Sequence, residues 1–308
     1  MIETKGLTKQ YGALTALSNL DLTIAAGDIF GFIGPNGAGK TTTMRILATL
    51  LEPTSGKAYI DGMDVATNGQ KVRRVVGYMP DFMGVYDDLK VFEYLEFFAA
   101  AFDIPPGKRK GIVEGVLELT DLVGKKHATV DSLSRGMQQR LGLARVLIHD
   151  PKALILDEPA SGLDPRARIE IKELLRELKR MGKTIMISSH ILSELEEICD
   201  HVGIVEQGKL VFSGTMEQIR QKLGVHSKVR VRVAANTEQA AALLGALPEI
   251  EQVQQIGDAL TVSCKDGNAA NALIARTLVQ AGLDLISLEP EQVKLDQAFL
   301  QLTQGLVH

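Results

Sequence analysis

Gly34-Pro35-Asn36-Gly37-Ala38-Gly39-Lys40-Thr41 is the stretch on which the reading of this chain turns. Its spacing is G-x-x-x-x-G-K-[ST]. The apolar run Asp28-Ile29-Phe30-Gly31-Phe32-Ile33 precedes it and reads as a strand, and Thr42 to Leu51 follows and reads as a helix. Glycines let the backbone curl until several N–H groups converge on a phosphate, and the helix adds its positive N-terminal end. In such a loop Lys40 reaches the β- and γ-phosphates and the Thr41 hydroxyl ligates Mg²⁺. A dinucleotide-binding turn fits less well, because the spacing is not G-x-G-x-x-G and a lysine stands where that turn has none.

Outward from the loop, strands and helices alternate. Gly6 to Ile24 carries short β-like segments, and residues 91 to 148 read as mostly helical, with breaks at Pro105-Pro106-Gly107 and at Thr129 to Ser132. Ala153 to Leu156 reads as a strand. A charged helix follows from Arg166 to Met181, with Ile169, Leu174 and Leu178 on its apolar stripe. Thr184 to Ser188 is another buried-strand candidate, and Val202 to Val205 with Lys209 to Phe212 forms a hairpin about Gln207-Gly208. Strands separated by helices imply a mainly parallel sheet with both faces covered. Leu154-Ile155-Leu156-Asp157-Glu158-Pro159 is an apolar strand that ends in two acids. Beside a phosphate loop, Asp157 can hold Mg²⁺ through water, and Glu158 can orient and deprotonate an attacking water.

Composition narrows the class. The 308 residues are 45% hydrophobic and 23% charged, with a net charge of -4, which argues against a general nucleic-acid binder. Cys199 and Cys264 lie far apart without metal-ligand spacing and fit a reducing compartment. The N-terminus has no signal-peptide core. The apolar stretch Val91 to Phe102 is too short to span a bilayer and is interrupted by Glu93 and Glu96, so it reads as an amphipathic helix.

Leu133-Ser134-Arg135-Gly136-Met137-Gln138-Gln139-Arg140 resembles the LSGGQ signature of ATP-binding-cassette (ABC) ATPases, and it falls upstream of the acidic strand as in that family. Arg135 replaces a glycine and Met137 the glutamine, while Ser134 and Gly136 are kept. Arg135 either adds charge near the phosphates or hinders close approach. The resemblance implies a nucleotide site of Tyr11, which stacks on adenine, Gly34, Pro35, Asn36, Gly37, Ala38, Gly39, Lys40, Thr41 and Thr42. Ser134 and Gly136 close over it from a second subunit. It implies catalytic roles for Lys40, Glu158 and the switch histidine His190, and it makes Ser161-Gly162-Leu163-Asp164 the D-loop. Thr41, Asp157 and Asp81 would serve Mg²⁺. Asp81 stands where most members carry glutamine; an ionised acid can approach metal or water there but cannot donate a hydrogen bond.

The expected fold is an α/β P-loop cassette over residues 1–220. It comprises a mainly parallel core, an antiparallel β subdomain and a helical subdomain at about 85–150. Residues 225–308 follow in the order β-α-β-β-α-β, the ferredoxin-like order, with a last helix from Leu295 to Thr303. This part resembles the accessory domain of ABC-2-type exporter ATPases. The family implies an ATP-hydrolysing subunit, a head-to-tail homodimer, and a separate membrane-spanning permease that holds the chain at the cytoplasmic face of the membrane. No nucleic-acid partner is expected. Asp81 to Leu89 falls on the segment that faces the permease, and the apolar Phe82, Met83, Val85 and Tyr86 suit either that contact or packing within the helical subdomain.

Overall fold

The computed structural model describes residues 1–82, 84, 88–222, 227–264 and 267–291. The chain divides between Met216 and Glu217 into two compact units. In the first unit, β1 (Ile2–Tyr11), β2 (Leu14–Ile24), β3 (Ile29–Ile33), α1 (Lys40–Leu47), β4 (Ser55–Ile60), β5 (Met63–Asp64), α2 (Gly69–Val75) and β6 (Val76–Met79) come first. Then follow α3 (Val91–Ala101), α4 (Pro106–Leu119), α5 (Arg135–Leu147), β7 (Ala153–Leu156), α6 (Pro165–Arg180), β8 (Thr184–Ser189), α7 (Leu192–Leu195), β9 (His201–Glu206) and β10 (Lys209–Thr215).

The central sheet has the order β10-β9-β3-β8-β7-β6, parallel except for the β9–β10 hairpin. Its inner strands β3, β7 and β8 are buried along their whole length, as a sheet covered on both faces requires. A separate antiparallel sheet, β2-β1-β4-β5, packs Leu7, Leu17 and Leu20 into one core with Phe30, Phe32, Met44 and Ile46. Because the sheet is parallel, the carboxyl ends of β3, β7 and β8 lie side by side, which is where open α/β sheets place their ligands.

The helices α3, α4 and α5 pack on one another. Val91, Tyr94, Leu95 and Ala99 form the buried stripe of α3, so this apolar stretch is an amphipathic helix of one globular unit. Pro105 and Pro106 start α4, and a single 3-10 turn at Val130–Ser132 makes the second break. Buried Arg140 on α5 donates to the carbonyls of Thr120 and Asp121 and pairs with the Asp121 carboxylate at 2.8 Å, tying α5 to the end of α4.

Several expectations are corrected. The helix after the glycine loop starts at Lys40 and ends at Leu47, earlier at both ends than Thr42 to Leu51. Ile169 is exposed. The buried stripe of α6 is Ala167, Ile171, Leu174, Leu175 and Leu178, because a step of five from 169 to 174 turns off the face while 171, 174, 175 and 178 keep to it. The strands β4, β5 and β6 and the helix α2 had no reading in the sequence. Phe82 is 85% exposed; Met83, Val85 and Tyr86 lie outside the described residues.

Around the division between the units runs α8 (Met216–Lys222). The second unit contains β11 (Ser227–Val233), α9 (Thr237–Gly245), β12 (Ile250–Ile256), β13 (Ala259–Cys264), α10 (Gly267–Gln280) and β14 (Leu285–Glu291). Its sheet has the order β12-β13-β11-β14, with every described pair antiparallel. Val229, Val231, Val233, Leu260 and Val262 alternate inward and meet Ala240, Leu244, Ile274 and Leu278 of the helices in a core of their own. Gly257 takes φ +63° in the β12–β13 turn. The helix expected from Leu295 to Thr303 lies outside the described residues.

Candidate active site

The loop between β3 and α1 is held from both ends. Gly34 donates its N–H to Ser189 O at the end of β8, and it sits so close to β9 that a β-carbon would fall 2.3 Å from Val205 O. Gly39 has φ +104° and no room for a side chain, since a β-carbon would lie 2.7 Å from Ala16 O of β2. Gly39 also caps α1, so no side chain of the cap occupies the helix's first N–H groups. Lys40 is buried, and its Nζ donates to Gly34 O at 2.7 Å and Pro35 O at 3.3 Å. Burial pushes the Lys40 ammonium below its ordinary value, while the charges of Glu158 and Asp157 hold it up.

The acids arrive from β7. Asp157 is buried; its Oδ1 accepts from Ser188 Oγ at 2.6 Å, and its Oδ2 has no hydrogen-bond partner among the described residues. Glu158 takes φ +51°, a left-handed conformation that costs a non-glycine residue about 1–3 kcal/mol. Three contacts hold it there. Its N–H donates to Ser188 Oγ at 2.8 Å, its Oε1 lies 3.6 Å from Lys40 Nζ, and its Oε2 accepts from His190 Nδ1 at 3.0 Å. The turn that carries His190 is tied down by Ser189, whose Oγ donates to Ile191 O and accepts from Ile191 N–H.

A cleft of about 320 Å³ opens over these groups. Tyr11, Leu14, Ala16, Pro35 through Thr42, Asp81, Asp157 and Glu158 line it. The Tyr11 ring is half exposed, with Lys9 Nζ 5.2 Å from its centroid. Gly34 and His190 are outside this lining, Gly34 O accepting from Lys40 Nζ and His190 meeting the Glu158 carboxylate. Ser134 and Gly136 are not part of its lining. Ser188 is a site residue that sequence reasoning passed over. Its signal was present, because Ser188-Ser189-His190 is a polar end to a buried apolar strand, and such an end needs partners.

The chain matches the ABC transporter family over residues 17–161. It is 34% identical over 306 residues to the bacitracin transport ATP-binding protein BcrA of Bacillus licheniformis, covering 99% of this chain and 98% of that one. It belongs to the ATP-binding proteins of the ABC transporter family. This ABC ATPase is also 34% identical over 304 residues to the Nod factor export ATP-binding protein I of Ralstonia nicotianae, with 98% and 94% of the two chains covered. Among solved structures it resembles an ATP-binding cassette in a dimeric post-hydrolysis state bound to ADP and Pi. The TM-score is 0.64 at 25% identity, over 70% of this chain and 99% of that one.

In this ABC ATPase the signature segment has its own local logic. Ser134 caps α5, its Oγ accepting from Met137 N–H at 3.4 Å. Gly136 faces α6 so closely that a β-carbon would fall 2.9 Å from Ala167 Cβ. Among the described residues no helix is long and apolar enough to cross a membrane.

Proposed function

We propose that this ABC ATPase works as half of a head-to-tail homodimer that energises export through a separate membrane-spanning permease, held by that permease at the cytoplasmic face of the membrane. In this reading Tyr11 stacks on adenine, and the backbone N–H groups of Gly37, Gly39, Lys40, Thr41 and Thr42 cradle the phosphates together with the Lys40 ammonium. Ser134 and Gly136 of the second subunit close the site. Glu158 accepts the proton of the attacking water, and His190 orients the Glu158 carboxylate by its hydrogen bond and approaches the γ-phosphate. Phosphoryl transfer asks for positioning and charge more than covalent chemistry, so splitting the site between subunits makes turnover depend on closure. The observation that carries the reading is the convergence of Lys40 and His190 on the two oxygens of Glu158, beside a loop whose Gly34 and Gly39 have no room for side chains.

The site suits Mg²⁺. The buried Asp157 Oδ2 is an acceptor without a described partner, and Thr41 and Asp81 line the same cleft. These residues would hold the ion, directly or through water, and its charge would offset that of the β- and γ-phosphate oxygens. Asp81 brings a negative charge where a glutamine brings none.

An apolar groove of about 220 Å³, lined by Leu50, Arg73, Tyr78, Phe98, Phe102, Arg145 and His149 among others, supports docking of a permease segment. The strand order of the second unit, β12-β13-β11-β14 with both helices packed against the sheet, supports a ferredoxin-like accessory domain like those of ABC-2-type exporter ATPases.

The test is Glu158→Gln, which keeps the shape of the side chain but cannot accept the water's proton. The variant should bind ATP, lose at least about two decades of turnover, equivalent to about 3 kcal/mol of barrier, and sediment as a dimer with ATP and Mg²⁺. Turnover at the native rate would remove Glu158 as the base.

A further inference from the structure

Glu194 stands on α7 with its side chain only 11% exposed, and its two oxygens face different partners. Oε2 accepts from Ser189 Oγ at 3.2 Å, and Oε1 pairs with Arg168 Nη1 at 3.5 Å. Ser189 has one hydroxyl hydrogen, which Glu194 Oε2 shares with Ile191 O at 3.1 Å. Arg168, in the first turn of α6, donates from its other terminal nitrogen to Leu163 O at 3.3 Å. Leu163 N–H in turn donates to Ala160 O, and Ser161 N–H to Glu158 O. On the far side His190 follows Ser189 directly and meets Glu158 Oε2 at 3.0 Å. The contacts therefore close a ring that starts and ends on Glu158, holding its main chain by one turn and its carboxylate by the other. A strained residue persists only where its surroundings over-determine it, and Glu158 has φ +51°. An apolar pair of like volume would join α6 to α7 as firmly as these two charges, and the buried Arg168 Nε has no partner among the described residues. Stability alone does not account for the pair; what it adds is direction, because each end is aimed at one group.

We propose that Glu194 is a positioning residue for ATP hydrolysis, and that Glu194 and Arg168 act as one strut. The strut sets the turn that carries His190 against the turn that follows Glu158, so that His190 Nδ1 stays on Glu158 Oε2. The proposal rests on the reading above, in which that contact orients the carboxylate that takes the proton of water. Neither Arg168 nor Glu194 lines the nucleotide cleft, so the strut acts on turnover and not on the hold on ATP. Arginine suits its end of the strut because one rigid fork reaches Glu194 and Leu163 O together, whereas the point charge of a lysine has no such fork.

The test compares the full chain with Glu194→Gln, Arg168→Met, the two together, His190→Ala, and His190→Ala joined to Glu194→Gln. Turnover is read at steady state, and for slow chains in single-turnover mode with enzyme in excess. ATP affinity is read with a fluorescent ATP analogue, and folding by the urea midpoint. Glu194→Gln keeps the volume and an oxygen for Ser189 but removes the charge that Arg168 meets. It should lower kcat by about tenfold or more, as a small misplacement of a catalytic group does, and leave ATP affinity unchanged. Arg168→Met should do the same, and the double variant should lose no more than the worse single, since one strut is broken once. On the His190→Ala background Glu194→Gln should cost no further turnover, while it lowers the urea midpoint equally in both backgrounds. A merely structural fault would cost turnover in both. Native kcat in Glu194→Gln or in Arg168→Met would overturn the proposal, as would an undiminished loss on the His190→Ala background or a parallel fall in ATP affinity. Native turnover in His190→Ala by itself would instead strike the reading that gives His190 its role.

Discussion

At the scale of single residues the site is organised by a serine. Ser188 Oγ is buried, donates to Asp157 Oδ1 and accepts the Glu158 N–H, so one hydroxyl fixes both acids at the end of β7. It also compensates the left-handed backbone of Glu158, which would otherwise have an unpaired N–H in a half-buried turn. Replacing Ser188 with alanine leaves a buried carboxylate oxygen and a backbone N–H without this partner, at a cost of about 1–3 kcal/mol. The Ser188→Ala protein should show a lower urea midpoint and a turnover reduced by more than its ATP affinity, because the loss falls on the aim of Glu158 and not on the glycine loop. Steady-state kinetics beside ATP titration would check this; a fall in affinity alone would place Ser188 outside the catalytic geometry.

At the scale of elements, the junction of α3, α5 and β6 contains a titrating wedge. His149 follows α5, stacks on Phe102 at 3.8 Å between ring centroids, and donates from Nε2 to Val76 O at 2.9 Å. Burial pushes its imidazole below the ordinary 6.5, against the opposing pull of the Val76 carbonyl and Asp150. In the unfolded chain the ring takes up a proton near 6.5, and in the folded chain only at lower pH. Between those values the unfolded state binds more protons, so this group's effect is to lower stability as the pH falls through 6.5, levelling off below the folded value. Replacing His149 with glutamine should therefore shrink the drop in urea midpoint between about pH 7.5 and about pH 5.5. An undiminished drop would assign the acid sensitivity to other groups. What the sequence revealed of such elements follows their hydrophobic period. The buried strands β3, β7 and β8 are legible because each contains an apolar run, Ile29-Phe30, Leu154-Ile155-Leu156 and Ile185-Met186-Ile187. By contrast, β4 and β6 carry glycine and polar residues, Ser55-Gly56-Lys57 and Val76-Gly77-Tyr78, and only tertiary pairing makes them strands. The loop glycines, Lys40, Asp157 and Glu158 were legible because their chemistry is local in sequence. Ser188's two hydrogen bonds, to Asp157 and from the Glu158 N–H, were not, since they join segments that only the fold brings together.

At the scale of the whole molecule the two units have separate hydrophobic cores, and every residue of the nucleotide cleft belongs to the first. Two cores of this kind should melt as two calorimetric transitions. ATP with Mg²⁺, added to Glu158→Gln at about a hundred times its dissociation constant, should stabilise the first unit by about 2.7 kcal/mol and leave the second transition where it was. A single transition that moves as a whole would show that the units unfold as one. The chain also contains no tryptophan. Tyr11, half exposed at the mouth of the cleft, is therefore a place where an indole would be the sole long-wavelength emitter in the protein. Its quenching by a stacked purine would turn nucleotide arrival and departure into a colour-selected optical trace, followed in real time without any attached dye.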